Sequence, residues 1–225
     1  IALMLHGSWH DADNMFGKTQ YDVTQKNGYA QLMFETDITE KHNISVGASL
    51  NHDYYDERFN PLGAFPKAES KVTKETTPGL YAQYTYKLGD KLTVMPGVRW
   101  DHSNLYGSFF TPRLHIKYSP SKIVTLRTSV GKGYRSPHAL AENVTLLASG
   151  REIVIDPDLK QEEAWNMGAS LGFNIPLFGK NLELNAEYYY TDFKHQMIMN
   201  FDGAKGKHTL SFENLKSKSY SHTFQ

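Results

Sequence analysis

Along nearly the whole chain, apolar and polar residues trade places one by one. Ile44, Val46, Ala48, Leu50, His52 and Tyr54 alternate with Ser45, Gly47, Ser49, Asn51 and Asp53. Leu92, Val94, Pro96, Val98 and Trp100 alternate with Thr93, Met95, Gly97, Arg99 and Asp101. A period of two marks strands with two unlike faces, because successive side chains leave a strand on opposite sides. The same pattern over 80–88, 113–118, 124–131, 164–173 and 182–191, with 1–10, 28–36 and 209–225, predicts about ten strands and no amphipathic helix of comparable quality.

The connections alternate too. Those at 37–43, 89–90, 119–122 and 175–180 are short and rich in turn residues. Those expected at 11–27, 55–76, 103–111, 134–160 and 202–208 are mostly much longer. Short and long ends in strict succession predict an antiparallel up-and-down meander with one end kept tight and the other elaborated. Ile1–His6 and Tyr220–Gln225 alternate like strand interiors, so the chain is expected to be an internal piece of a longer protein.

Alternation alone fits a soluble β-sandwich, whose apolar rows face inward, as well as a membrane barrel, whose apolar rows face lipid. Three features favour the barrel. Several alternating runs exceed the roughly 5–6 residues of a globular strand and reach the about 9–11 that cross a bilayer. The polar face carries Arg99, Asp101, Arg113, Arg127, Glu183 and Glu187 among many Ser and Gly, which suits a wet lumen or a wall facing a plug. Large aromatics gather near strand ends: Tyr54, Trp100, Trp165 and Tyr190 toward the long connections, Tyr86, Tyr118 and Phe173 toward the short ones. Two such girdles are expected at the two membrane interfaces.

Composition narrows the function. The 225 residues carry 24 basic and 24 acidic side chains, and a zero net charge argues against nucleic acid as a partner. No cysteine is present, which removes disulfides, thiolate zinc sites and cysteine nucleophiles. No run approaches the about 18 apolar residues of a membrane helix. No catalytic pairing or phosphate loop is legible, so an enzyme is not expected, and neither is a bound cofactor.

The run Val130-Gly131-Lys132-Gly133-Tyr134-Arg135-Ser136-Pro137 and, some twenty residues on, Asp156-Pro157-Asp158-Leu159-Lys160-Gln161-Glu162 resemble the G-x-G-[FY]-R-x-P and [ND]-P-x-L-x-x-E boxes of TonB-dependent outer-membrane receptors. The alternating 164–173 segment follows the second box as it does in that family. The resemblance implies a plugged barrel of about 22 strands, of which about half is here. Residues 1–225 would then form a partial transmembrane barrel, with the plug domain and the remaining strands outside the chain. It further implies residence in the bacterial outer membrane, contact with lipid, a plug and the inner-membrane TonB complex, and import of a small organometallic nutrient such as a ferric siderophore, haem or cobalamin. A glycan or peptide receptor is the alternative within transport, and a soluble β-rich binding module the alternative outside it.

Gly131, Gly133, Tyr134, Arg135, Pro137, Asp156, Pro157, Leu159 and Glu162 are the motif residues, read first as structural. Boxes shared by receptors of varied ligands should not set ligand choice, so Arg135 is expected to satisfy loop carbonyls or an acid such as Glu142 or Asp156. Its rival role, with Tyr134, is to grip an anionic nutrient at the mouth. His138, between the boxes, is a candidate haem ligand with no second His before Ile155. Met197 and Met199, near Phe201, could offer an apolar patch to a corrin, a porphyrin or a surface lipoprotein, or simply continue a lipid-facing strand. Arg99, Asp101, Arg113, Arg127, Glu183 and Glu187 are expected to line the lumen and dock the plug. The ten histidines are too scattered for a metal site.

Overall fold

The computed structural model describes residues 1–61, 69–201 and 208–225. It contains strands β1 (Ala2–Phe16), β2 (Thr19–Thr39), β3 (His42–Pro61), β4 (Glu69–Leu88), β5 (Leu92–Ser103), β6 (Gly107–Tyr118), β7 (Val124–Arg135), β8 (Glu152–Ile155), β9 (Glu162–Leu177), β10 (Lys180–Lys194), β11 (Met197–Asn200), β12 (Thr209–Asn214) and β13 (Ser219–Phe224). Ten of them form one sheet in the order β1-β2-β3-β4-β5-β6-β7-β9-β10-β13. Every neighbouring pair in it is antiparallel. The meander expected from the alternation is therefore present.

The two faces are inverted relative to a water-soluble sheet. On β5, Val98 and Trp100 are 44% and 43% exposed, while Asp101 and Ser103, just beyond them on the opposite face, are 0% and 1%. Leu3, Leu5, Leu32, Phe34, Val46, Leu50 and Leu80 stand exposed on the same outer face. A sandwich would bury these rows against a second sheet; here they are left for lipid, while each strand of this sheet between β1 and β13 is paired on both sides in the ladder. The soluble module is ruled out by this arrangement.

On the concave face, glycines make room for side chains that lie flat on the wall. A Cβ at Gly47 would sit 2.6 Å from the Tyr81 ring, and one at Gly79 would sit 2.0 Å from Asp101 Oδ1. The Gly in the polar row is thus a space-maker for its larger neighbours in register, Gly47↔Tyr81 and Gly79↔Asp101.

The connections need correction at the elaborated end. Strands β1 to β4 run on through most of what the sequence suggested were loops at 11–27 and 55–76; the first hairpin turns at Gly17, φ 63°. The part of the second at 62–68, and residues 202–207 of the 202–208 connection, lie outside the described residues. The 103–111 connection shrinks to a turn at 104–106. At 21, 20 and 20 residues, β2, β3 and β4 are about twice the length that crosses a bilayer, so their outer halves stand clear of it. There both faces turn polar and the alternation that betrays a strand fades.

Residues 209–225 are not one strand. β12 leaves the wall to join β11 and β8 in a separate three-stranded sheet, in which β12 runs antiparallel to β11 and parallel to β8. This small sheet ties together the two neighbouring outer connections, β7–β9 and β10–β13. Leu210, Phe212 and Ala139 form its core, with Leu146, Ile153, Ile155 and Met197 packed around them. It makes a cap at the elaborated end of the wall.

At the tight end, β9 and β10 are joined by Phe178 (φ 49°) and Gly179 (φ 75°), two successive left-handed residues as a type I′ hairpin requires. Gly179 adopts this freely, whereas Phe178 does so against its Cβ. Phe178→Asn is expected to raise stability by about 1 kcal/mol. The check is the urea midpoint of the full-length receptor folded into lipid vesicles.

Candidate functional site: the outer mouth

A cavity of about 1500 Å³ lies between the cap and the outer wall. The outer ends of β3 and β4 supply Glu57, Phe59, Lys71 and Glu75; the β5–β6 turn supplies Tyr106; the cap supplies Pro137, His138, Arg151 and Lys160. Aromatic, cationic and anionic groups thus share one concave surface. Its shape depends on the segment 136–161, whose short 3-10 turn at Val144–Ser149 packs against β1 and β2.

The two sequence boxes meet at the root of this segment. Arg135 Nε donates to Glu162 Oε2 at 2.6 Å, and Arg135 Nη1 donates to Glu142 Oε2 at 2.9 Å. Glu162 Oε1 accepts the backbone N–H of Met197 at 2.7 Å, and Glu142 Oε1 accepts that of His138 at 3.3 Å. One guanidinium therefore holds the end of β7, the start of β9, the start of β11 and the turn after Pro137 in fixed relation. Burial works against the Arg135 charge, but Glu162 and Glu142 outweigh it and push its pKa up. Pro137 is buried beside this network.

Asp156 does not join Arg135. Its Oδ1 accepts Asp158 N at 3.0 Å and its carbonyl accepts Leu159 N at 3.2 Å, a local turn that sets up Pro157 and Leu159. Asn214 of β12 secures the same stretch: its Oδ1 accepts Lys160 N at 2.6 Å, and its Nδ2 donates to the carbonyls of Lys160 and His195. Gly131 approaches Arg113 at ordinary contact, while a Cβ at Gly133 would meet nothing, so packing does not explain that glycine.

Tyr134 stacks on Phe109, centroids 4.7 Å apart. His138 stacks on Tyr55 at 3.9 Å, and Gln25 Nε2 donates to the Tyr55 hydroxyl at 2.7 Å. Burial, then Asp53 and Glu57, push the Tyr55 phenol up to about 12, so it stays protonated at any physiological pH. Met197 packs into the cap core rather than continuing a lipid-facing strand, and Met199 beside it is 41% exposed.

Sequence reasoning missed a polar knot at the rim. Glu75, buried, accepts Ser103 Oγ at 2.6 Å and Ser136 Oγ at 3.1 Å, and Gln161 Nε2 donates to Ser136 Oγ at 3.0 Å. Ser103 Oγ in turn accepts the N–H groups of Leu105 and Tyr106. Burial, then Glu75, raise the Tyr106 pKa. Tyr21 donates to Glu57 at 2.7 Å deeper against β2, and burial followed by that hydrogen bond lifts its pKa well above the phenol range. Glu57, Glu75 and Tyr21 lie in stretches that the pattern marked as loops, and no spacing rule flags them.

Below the mouth, the concave wall is charged and cross-linked. Arg99 donates through Nε and Nη2 to Asp101 at 2.7 and 2.6 Å and through Nη2 to Ser49 at 2.7 Å. Arg113 donates to Gln83 at 2.7 Å, and Lys132 pairs with Glu163 at 2.8 Å. Arg99, Arg113 and Lys132 surround a second recess of about 480 Å³. Arg127 and Glu187 sit in register with Ser170 between them, and Glu187 accepts from Asn185 and Tyr189, both at 2.9 Å. Glu183 is exposed opposite Asn174. Among the described residues, no group of three or more His, Asp or Glu is placed to hold a metal ion.

Comparison with known proteins agrees with this architecture. Residues 5–221 match the family described as TonB dependent receptor-like, beta-barrel. The iron-regulated outer membrane virulence protein of Vibrio cholerae is 23% identical over 207 residues, covering 88% of this chain and 30% of that protein. The ferrienterobactin receptor of Escherichia coli is 26% identical over 115 residues, covering 46% of this chain and 15% of that protein. Among solved structures, a siderophore receptor of Pseudomonas aeruginosa superposes with a TM-score of 0.70 at 16% identity, over 99% of this chain and 45% of that one. A ferric enterobactin receptor mutant of the same organism, in complex with enterobactin, gives 0.67 at 16% identity, over 91% and 33%. The chain thus spans about a third of the length of the first of these curated relatives. With residues 5–221 matched, the chain belongs to the β-barrel family of TonB-dependent receptors of the bacterial outer membrane.

Proposed function

We propose that this chain is part of the wall and outer cap of a receptor that imports an iron–siderophore complex, driven by the TonB system. The observation that carries the reading is the cavity between cap and wall, large enough for a multidentate iron chelate and lined by Tyr106, Phe109, Lys71 and Arg151. Aromatic faces and cations together suit an anionic, ring-bearing ligand. The names of the relatives, which include ferric enterobactin receptors, point the same way. β1 and β13 are each paired on one side only within the described residues, and in lipid those edges need further strands. A plug would fill the bore against Arg99, Arg113, Arg127, Asp101, Glu183 and Glu187, meeting their charges with its own.

In this reading Arg135 and Tyr134 shape the mouth and do not select the ligand, since Arg135 is already committed to Glu142 and Glu162. Met199 offers a small apolar contact at the cap surface, and Met197 is spent in its core. The test is binding to the full-length receptor of a ferric tris-catecholate, a ferric hydroxamate, haem, cobalamin and an oligosaccharide, followed by tryptophan fluorescence. Saturable binding of one ferric chelate, weakened about tenfold by Lys71→Ala with Arg151→Ala, is the expected result. Binding of haem alone, abolished by His138→Ala, would establish a haem receptor instead; binding of the oligosaccharide alone would make it a glycan receptor.

A further inference from the structure

The outward face of β1 to β4 carries one cross-strand row unlike those on either side of it. Trp9 pairs with Lys26, Lys26 with Tyr54, and Tyr54 with Lys74, each directly opposite the next in the register. Lys26 Nζ lies 5.1 Å from the Trp9 ring centroid and 5.7 Å from that of Tyr54, and Lys74 Nζ lies 5.7 Å from Tyr54. The Lys26 ammonium is thus held between two aromatic faces on the outside of the wall, and the Lys74 ammonium rests against the far side of one of them. Both lysines are exposed, and Trp9 is 71% exposed.

The depth of this row is fixed by what lies above and below it. Toward the tight end come a row of Gly7, Gly28, His52 and Thr76 and then the exposed aliphatic side chains of Leu5, Leu32, Leu50 and Leu80. Toward the cap the next row carries two acids, with Asp11 opposite Thr24 and Asp56 opposite Val72. Asp56 is taken by Arg58 at 3.4 Å, and Thr24, then the Trp9 indole and Lys26, hold the Asp11 carboxyl below its ordinary range. From Ile44 to Tyr54, β3 covers about the length that crosses a bilayer. The lysines therefore stand where hydrocarbon ends and headgroups begin, with Trp and Tyr in the interfacial position their amphipathic rings favour. Cations there meet lipid phosphate, whereas the acidic row above repels it.

We propose that Trp9, Lys26, Tyr54 and Lys74 form a binding site for a phosphate-bearing lipid headgroup of the outer leaflet. The two ammoniums would contact the phosphate oxygens, and the rings would hold the lysine stems in place and cover the sugar or glycerol portion. The rings reduce the rotamer freedom that free lysines would lose on binding, so the site is set before the lipid arrives.

The experiment uses the full-length receptor in detergent, with lipid A carrying both phosphates or the same glycolipid stripped of them, and counts bound lipid by native mass spectrometry. Phosphorylated lipid A is expected to bind the unmodified receptor, and Lys26→Gln with Lys74→Gln to weaken it about thirtyfold. Lys26→Arg with Lys74→Arg should restore most of the binding, and Lys91→Gln, at the opposite end of the wall, should leave it unchanged. Heat-modified gel mobility verifies that each variant remains a folded barrel. Equal binding of the stripped glycolipid, unchanged binding by the double Gln variant, or an equal loss from Lys91→Gln would overturn the site. Saturation of the row by inorganic phosphate, with no preference for the lipid, would overturn the lipid assignment.

Discussion

Glu162→Ala is expected to release the cap while leaving the barrel intact. The carboxylate serves Arg135 through one oxygen and the Met197 N–H through the other, so its loss removes the side-chain tie at the outer ends of β7 and β9, whose ladder remains, and frees the start of β11 at once. Hydrogen bonds to charged groups contribute about 1.5–3 kcal/mol each when buried; Arg135 is 56% exposed here, which discounts its share. A total of about 2 kcal/mol is a reasonable expectation, and it falls on the local opening of the cap rather than on global unfolding. The amides of β8, β11 and β12 in the full-length receptor should exchange about thirtyfold faster, with those of β5 and β6 unchanged. Glu162→Gln keeps an acceptor for Met197 and should show a smaller effect. If β8 and β12 stay protected in the Ala variant, the Arg135–Glu162 pair is not what holds the cap.

The second large effect is expected deeper in the wall. Asp101 is fully buried and takes both donors of the Arg99 fork, and Arg99 is itself a third exposed. Removing one member of a buried pair costs about 3–5 kcal/mol because the other is left uncompensated; solvent at Arg99 lowers this to about 2–3 kcal/mol for Asp101→Ala. Gly79→Ala should act on the same pair from the neighbouring strand, since its new Cβ would fall 2.0 Å from Asp101 Oδ1 and 2.5 Å from Arg99 Nη2. Both variants should unfold at lower urea in vesicles, and combining them should cost less than the sum because they break one interaction. Full additivity would mean that Gly79 matters for a reason other than the room it gives Asp101.

The wall was legible in the sequence wherever lipid imposes unlike faces. Leu80, Ala82 and Tyr84 against Tyr81, Gln83 and Thr85 could be read without coordinates because one side meets hydrocarbon and the other a wet bore. The pattern failed at Asp22, Thr24, Asp56 and Arg58, where the strands rise above the bilayer and both faces meet water, so real strands looked like loops. It failed again at 209–225, where β12 and β13 both alternate but belong to different sheets. Nothing local distinguishes them; the parallel partner of β12 lies more than fifty residues earlier in β8. At the mouth, the boxes made Arg135 and Glu162 visible, and Glu142 was within reach of argument. Glu75, Ser103 and Gln161 were not, because their link runs across two strands and the cap, and only the fold brings them together.

The four-residue parallel pairing of β8 with β12 has an evolutionary corollary. Two surface excursions that share a ladder cannot drift in length independently, since a one-residue slip in either turns Phe212 out of the core it shares with Ile153 and Ile155. Variation on this face should therefore take the form of point substitutions at exposed positions such as Glu152 and Met199, and of coordinated indels in the two excursions, rather than lone insertions.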